Sequence, residues 1–289
     1  IGLLRGELQL WRNILFAGAK LAALTATGFW LMQRGGLTIV ATWALADAFS
    51  FAALASFAVV KGKWTFRKSL PQWGVVRKLG PSAIQHHLLN LLLIGPNFAL
   101  PLLVTVLISA TANSSFYIAF LIADVVYVVP QALVTALYAV SSAQPTVLAR
   151  KAQMTIGLAT ITCVLANGVL FFGSRQLLGL FGSSYAEQGV WSLRFLALGA
   201  FPFLFKDLYV AICRIQDRIA KALLPLAAGA LLELGLSALG AHLGSVSGLS
   251  LGWDIAVCIE ALFMARTVYK IGSSTSVNRA SNATLSSWP

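Results

Sequence analysis

The pattern of hydrophobic positions divides the chain into eight long apolar segments joined by short polar connections. The segments cover residues 13–30, 37–60, 83–108, 116–140, 156–172, 190–212, 222–243 and 249–269. An α-helix rises about 1.5 Å per residue, so about 20 residues cross the hydrocarbon core of a bilayer. Each segment is close to that length. The sequence therefore predicts an all-α protein, a polytopic transmembrane helix bundle of about eight spans.

Lys and Arg residues are distributed unevenly between alternate connections, which predicts an orientation. One set of connections, together with the two chain ends, carries 16 basic residues, whereas the other set carries only Arg34 and Arg175. Because cytoplasmic loops of membrane proteins are enriched in Lys and Arg, both ends of the chain are predicted to be cytoplasmic. The net charge of +12 is attributed to this topology and to attraction of anionic lipid, and not to nucleic-acid binding.

Composition supports a membrane protein and leaves no room for a water-soluble domain. Hydrophobic residues make up 58% of the chain and charged residues 10%, with a mean hydropathy of +0.81. Soluble proteins contain about a quarter charged residues. The predicted organisation is a pair of helices in residues 1–60, a basic cytoplasmic linker in 61–80, a six-helix lobe in 81–270 and a disordered cytoplasmic tail in 271–289.

Two consecutive segments carry polar side chains at helical spacing. The residues are His86, Asn90 and Asn97 in the third segment and Asp124, Tyr127, Gln131, Thr135 and Tyr138 in the fourth. Offsets of three, four and seven residues place each set on one face of its helix. Polar side chains in lipid are costly unless they face the bundle interior or water, so the two stripes are predicted to line a water-accessible cavity. The alternative for each single residue is a hydrogen bond between helices.

The sixth segment supplies the charged candidates. Arg194, Lys206 and Asp207 lie within it, and they would neutralise an anionic headgroup or exchange a proton during transport. The alternative is structural: Asp207 simply pairs with Lys206 or with a basic residue of another helix. Glu233 and Glu260 are isolated acids of later segments, and the sequence assigns them no partner.

The sequence predicts that the protein is not an enzyme and has no metal or cofactor site. His86 and His87 are adjacent, so on a helix their side chains point about 100° apart, unlike the i, i+4 pair that binds zinc. The three cysteines have no metal-ligand spacing. The chain contains no nucleophile elbow and no Gly-rich phosphate loop. A membrane acyltransferase or glycosyltransferase, the alternative from another class, would require clustered carboxylates or histidines at one membrane face.

The first and last pairs of segments share a pattern. Each has a charged residue near the middle of its first segment, Lys20 or Glu233, and a Trp early in its second, Trp43 or Trp253. Transporters are commonly built from internal repeats, and the pattern is consistent with one. Chance similarity between two apolar hairpins explains it as well.

Two stretches of the chain resemble a known transporter family. Residues 177–189 and 193–221 read LLGLFGSSYAEQG and LRFLALGAFPFLFKDLYVAICRIQDRIAK, which is similar to the region before the last two helices of that family. Residues 81–104 and 114–133 read PSAIQHHLLNLLLIGPNFALPLLV and SSFYIAFLIADVVYVVPQAL, similar to its seventh and eighth helices. The family is the polysaccharide-exporter branch, which includes O-antigen flippases, of the multidrug, oligosaccharidyl-lipid and polysaccharide (MOP) superfamily.

The resemblance implies a fold, a function and a location. The chain would be the C-terminal part of a two-lobe, twelve-helix exporter, with residues 1–60 as the fifth and sixth helices and residues 81–270 as the second lobe. Its cargo would be a polyprenyl-pyrophosphate-linked oligosaccharide, flipped across the bacterial inner membrane by alternating access for the assembly of lipopolysaccharide and other surface polysaccharides. Membrane lipids and polysaccharide-assembly membrane proteins would be its partners. The alternative within transport is a cation-coupled multidrug exporter.

Overall fold

The computed structural model describes the backbone of residues 6–30, 36–60, 73–143 and 148–285. All regular structure in these ranges is α-helical, which confirms the predicted fold class. The helices are α1 (Gly6–Trp30), α2 (Gly36–Val60), α3 (Trp73–Leu107), α4 (Ala110–Ala143), α5 (Leu148–Gly179), α6 (Ser183–Leu198), α7 (Ala200–Ile215) and α8 (Ile219–Leu285).

Five stretches of the described residues are helical, long and apolar enough to cross a membrane. They are Arg77–Leu107, Ala110–Ser142, Arg150–Gly179, Ser183–Ile215 and Ile219–Tyr269, while Asn13–Ala26 of α1 is a shorter apolar helix. Large apolar side chains remain exposed on these helices, as at Phe172 and Leu231. Exposed apolar surface of this extent is expected where helices face lipid. The protein is therefore a multi-pass membrane protein.

The last of these stretches is two spans and not one. Helix α8 is interrupted at Gly244 and Ser245, and Ser245 has a φ of 57° and a ψ of −138°. A positive φ is uncommon for a residue with a Cβ and marks a sharp turn. The interruption separates an arm of residues 219–243 from an arm of residues 246–285. These arms correspond to the seventh and eighth predicted segments.

The two arms of α8 fold back on one another in antiparallel register. A Cβ at Gly240 would overlap the backbone carbonyl of Gly248, and a Cβ at Gly252 would overlap that of Leu236. As the position on one arm advances, the position opposite it recedes, which is the signature of antiparallel helices. Glycine is required here because it alone lets the two backbones approach this closely.

The chain divides into two compact units, residues 1–78 and 79–289. In the first unit, α1 packs along α2. The ammonium of Lys20 lies 3.4 Å from the centroid of the Trp43 ring, in a cation–π contact. The charged residue and the Trp of this predicted hairpin are therefore in contact, as Glu233 and Trp253 are in the second unit. An internal repeat stays a prediction.

Helix α7 lies at the centre of the second unit. It packs against α8 and α4, and eleven of its sixteen residues are buried. Apolar side chains such as Phe203, Leu208 and Ile212 fill the surrounding core. Helices α6 and α7 together form one membrane-crossing stretch, interrupted by a turn at Gly199. Pro202 lies three residues further on and has no N–H to donate to the preceding turn, which accounts for the interruption there.

Two predicted boundaries differ from the structure. Residues 271–285 continue α8 as a helix, whereas the sequence predicts disorder from residue 271. No Gly or Pro interrupts residues 273–288, so a helix that has already formed can extend by one hydrogen bond per residue despite the Ser- and Asn-rich composition. Helix α3 begins at Trp73, inside the predicted linker, and residues 61–72 of that linker lie outside the described residues.

Candidate functional site

Four of the predicted polar residues come together around a small cavity between α3, α4 and α8. Asn97 of α3 and Asp124, Tyr127 and Gln131 of α4 line it, together with Trp253 of α8. Its volume is about 20 Å³, which is enough for one water molecule. The side chains of Asp124 and Gln131 also remain exposed, so the cavity lies at the surface of the second unit.

Tyr127 has a structural contact within this group. Its hydroxyl is buried and donates a hydrogen bond to the backbone carbonyl of Leu196, at 2.5 Å. Its ring meets Phe203 edge-on, with the two centroids 5.5 Å apart. These contacts fix α4 against α6 and α7. Tyr127 therefore forms the wall of the cavity, and the polar groups left for a ligand are those of Asn97, Asp124 and Gln131.

Gly199 allows the aromatic wall to close. A Cβ at this position would lie 2.8 Å from the Tyr127 hydroxyl and would overlap the Trp253 ring. Both contacts would be closer than van der Waals distance, so only glycine fits between the two side chains. The turn between α6 and α7 thus places a residue without a side chain against the aromatic wall of the cavity.

A second polar group lies further along the same faces of α3 and α4. Asn90 is two turns before Asn97, and its side-chain oxygen accepts a hydrogen bond from Nη2 of Arg214 at 2.5 Å. Tyr138 and Asp207 are close enough to Arg214 to interact with it electrostatically. Helices α3, α4 and α7 therefore meet around one guanidinium.

The structure places the other predicted residues of these faces at the margins of the two groups. His86 is half-buried one helical turn before Asn90, and Thr135 is exposed one turn after Gln131. The hydroxyl of Thr135 donates to the carbonyl of Gln131, a bond within its own helix. Neither residue makes a contact between helices through its polar group among the described residues, so both stay predictions as ligand groups.

Lys206 does not line the cavity but forms a buried charged cluster with two acids of α8. Lys206 and Glu233 are fully buried and Glu260 is 5% exposed. The ammonium pairs with Glu233 of the first arm and lies 3.0 Å from Oε2 of Glu260 in the second arm. Glu233 also accepts a hydrogen bond from Nε1 of Trp253 at 2.7 Å. We call these three ionisable residues the Lys206 cluster.

The Lys206 cluster is built into the packing of α7 and both arms of α8. A Cβ at Gly229 would overlap the Glu260 carboxyl group, so the glycine provides the space in which this side chain lies. One ammonium faces two carboxyl groups, and apart from the ion pair of its Oε2 with Lys206 the carboxyl group of Glu260 has no hydrogen-bond partner among the described residues. With both acids ionised, the cluster is therefore one positive charge short of neutrality. Burying an uncompensated charge costs several kcal/mol, roughly 3 to 5 when one partner of a pair is missing.

Arg194 lies apart from both polar groups. Its guanidinium donates to the backbone carbonyl of Phe171 at 2.8 Å and to the Ser174 hydroxyl at 3.2 Å, both on α5. It is one of the residues that line a groove beside α5, where the cavity of Asp124 does not reach. The sequence named Arg194 and Lys206 as charged candidates of the sixth segment, but it does not reveal which neighbouring helix each side chain meets.

No cluster of three or more His, Cys, Asp or Glu residues with the arrangement of a metal site occurs among the residues whose side chains the structure describes.

Comparisons with known proteins place this arrangement in a transporter fold. No family model matches the chain, and no curated protein matches it in sequence. Solved structures do match. An inward-facing multidrug resistance MATE family transporter of the MOP superfamily superposes with a TM-score of 0.71 and 15% identity, covering 91% of this chain and 64% of that one. The fold is MATE-like.

A second solved structure gives the same result. MATE in complex with MaL6 superposes with a TM-score of 0.71 and 15% identity, and the match covers 91% of this chain and 63% of that one. The chain thus spans less than two thirds of the length of the transporters that it resembles. The likeness supports the fold expected from the sequence and leaves the role and the substrate of this chain open.

Proposed function

We propose that the protein is a membrane exporter that flips polyprenyl-pyrophosphate-linked oligosaccharide across the bacterial inner membrane by alternating access. The MATE-like fold supports export, and the sequence resemblance to polysaccharide exporters supports the lipid-linked sugar. The fold also favours transport over an acyltransferase or glycosyltransferase. In this proposal both ends of the chain are cytoplasmic, and membrane proteins of polysaccharide assembly supply and receive the cargo.

The observation that carries the proposal is the group formed by Asn97, Asp124 and Gln131, which lies at the surface of the second unit on two membrane-crossing helices. A sugar hydroxyl both donates and accepts hydrogen bonds. An amide side chain offers both functions, and a carboxylate accepts from two hydroxyls at once. Three such groups within one small region suit a polyol better than they suit an apolar drug. The sugar part of the cargo would bind here.

The pyrophosphate would be neutralised at the neighbouring group around Arg214. A guanidinium matches phosphate oxygens with two parallel hydrogen bonds. Arg214 is half-buried, held by Asn90 and next to Asp207, so its charge is partly offset until an anion arrives. Asn90 and Asn97 share one face of α3, which places the two groups on the same side of this helix.

The test is the replacement Asp124→Asn in the full-length protein, which keeps the shape of the side chain and removes its charge. We expect lower surface polysaccharide at an unchanged amount of protein in the membrane. The matched control is Asp217→Asn, because Asp217 is exposed in the turn before α8 and has a φ of 52°, which Asn tolerates well. Normal surface polysaccharide in the Asp124→Asn strain would refute a role of this carboxylate in transport.

The second candidate is a cation-coupled multidrug exporter. Two observations favour it: the solved relative is a multidrug resistance transporter, and the Lys206 cluster is one positive charge short of neutrality. A proton or monovalent cation taken up at Glu260 would supply that charge. Efflux of a cationic dye, measured in cells that carry wild-type protein or Glu260→Gln, separates the candidates. Dye efflux that is lost in Glu260→Gln would favour the drug exporter, and its absence in both would favour the flippase.

A further inference from the structure

A groove on the outer surface of the second unit is lined by one charged side chain, by the amide of Asn167 and otherwise by apolar residues. It lies beside α5 and has a volume of about 310 Å³, at the lower end of the range for ligand pockets. Val164, Phe171, Leu198 and Phe201 are among the residues that line it, and Arg194 lies in it with them. Val164 and Leu198 are exposed on helices that cross the membrane, so the groove opens towards lipid.

The guanidinium of Arg194 is held in a fixed orientation. Its Nε and Nη2 atoms donate to Ser174 and to the Phe171 carbonyl. Its carbon Cζ lies 4.5 Å from the centroid of the Phe171 ring and 5.0 Å from that of Trp191. These bonds use one edge of the guanidinium. The Nη1 atom has no hydrogen-bond partner among the described residues, and its donors are left for a ligand.

The charge of Arg194 is not balanced by the described part of the chain. No carboxylate described there lies within 4.0 Å of the guanidinium, since the ion pairs described are those of Lys206. Glu187 is on the same helix, two turns earlier, and does not reach it. A charged side chain within a membrane span is costly and normally has a partner. The anion that a bilayer offers beside a lipid-facing groove is a phosphate group of a lipid.

We infer that this groove binds a membrane phospholipid with an anionic headgroup. The phosphate accepts hydrogen bonds from the free edge of the Arg194 guanidinium, and one acyl chain lies along Val164, Leu198 and Phe201. A planar guanidinium binds phosphate oxygens in pairs, which a single ammonium does not do. The bound lipid is a resident of the protein and not its cargo, so this inference does not depend on which substrate is transported.

The experiment measures lipid binding to the purified protein by native mass spectrometry. The probes are phosphatidylglycerol and phosphatidylcholine with the same acyl chains, which differ in net headgroup charge. We expect wild-type protein to retain phosphatidylglycerol in preference. Arg194→Gln should weaken phosphatidylglycerol binding about tenfold, the loss expected for one hydrogen-bonded charge pair, and should weaken phosphatidylcholine binding less, because the choline ammonium already offsets the charge of its phosphate. Leu198→Trp should weaken both lipids, because the larger ring occupies the space of the acyl chain.

Control variants separate the site from general attraction of anionic lipid. Arg218→Gln removes an exposed charge from the turn before α8 and should keep the wild-type preference. Arg194→Lys keeps the charge without the paired geometry and should bind phosphatidylglycerol with an intermediate affinity. Equal binding of the two lipids by wild-type protein, or equal effects of Arg194→Gln and Arg218→Gln, would overturn the inference. Binding of a polyprenyl pyrophosphate without any binding of phosphatidylglycerol would also overturn it and would assign the groove to the cargo.

Discussion

Replacing Lys206 by Met removes the only cation of the Lys206 cluster while keeping most of the length and volume of the side chain. In the variant, the carboxyl groups of Glu233 and Glu260 would face each other in a site that is closed to solvent. Removing one partner of a buried ion pair costs about 3 to 5 kcal/mol, because the remaining charge is desolvated and unpaired. We expect the free energy of unfolding to fall by an amount in this range.

The two acids should not be equivalent. Glu260→Gln keeps the shape of the side chain and leaves Lys206 paired with Glu233, so the cluster becomes neutral. We expect a cost of at most about 1 kcal/mol, or a small gain. Glu233→Gln should cost more, since Glu233 also accepts the Trp253 N–H at 2.7 Å. A hydrogen bond to a charged acceptor contributes roughly 1.5 to 3 kcal/mol, against roughly 0.5 to 1.5 for a neutral one.

The assay is denaturant-induced unfolding of the protein in detergent micelles, followed by the helical circular dichroism signal. Lys221→Met is the matched control, because Lys221 is an exposed residue at the start of α8. The reasoning predicts the order of cost Lys206→Met, then Glu233→Gln, then Glu260→Gln. It would be refuted if Lys206→Met were no more costly than Lys221→Met. It would equally fail if Glu260→Gln destabilised the protein as much as Lys206→Met does, because the cluster would then need both negative charges.

Three further predictions test other parts of the structure. Gly199→Ala should lower the melting temperature by several degrees, since a 1 kcal/mol loss corresponds to roughly 2 to 4 °C in a chain of this size. Gly157→Ala should not lower it, because a Cβ at Gly157 would meet open space. Equal melting temperatures of the two variants would contradict the crowding around Gly199. A cysteine introduced by Lys68→Cys should react with a membrane-impermeant maleimide only in permeabilised cells. Labelling of this cysteine in intact cells would overturn the predicted topology. Arg214→Gln should lower surface polysaccharide more than it lowers the protein level, and an equal fall in both would indicate a purely structural bond to Asn90.

The helices and their order could be predicted from the sequence because membrane-crossing segments require long apolar runs. The segments 222–243 and 249–269 correspond to the two arms of α8, and the turn between the arms lies at Gly244 and Ser245. The ends of the helices could be predicted less well. The predicted tail begins at residue 271, where composition becomes polar, but composition does not stop a helix that lacks a breaking residue. Hydropathy therefore predicts where a helix is in the membrane and not where the helix ends.

The candidate site could be predicted only as far as helical periodicity reaches. Asn97, Asp124 and Gln131 were grouped because each lies on the polar face of its helix, and the structure brings them together. Periodicity also placed Tyr127 in this group, but its hydroxyl bonds to a backbone carbonyl. That carbonyl belongs to a helix 69 residues away, whose position follows from packing. A spacing rule within one helix contains no information about such a partner.

The three cations that lie inside or at the edges of predicted spans show what limits a reading of the sequence. A charge in a membrane needs a partner, so the sequence alone already requires one each for Lys20, Arg194 and Lys206. The partners differ in kind: Lys20 lies over the Trp43 ring, Lys206 meets two carboxyl groups, and Arg194 meets a carbonyl and a hydroxyl. Counting charges gives the number of partners that are needed. Only the rotation and packing of the helices decides whether the chain supplies an anion, as it does for Lys206, or leaves that role to a lipid, as we infer for Arg194.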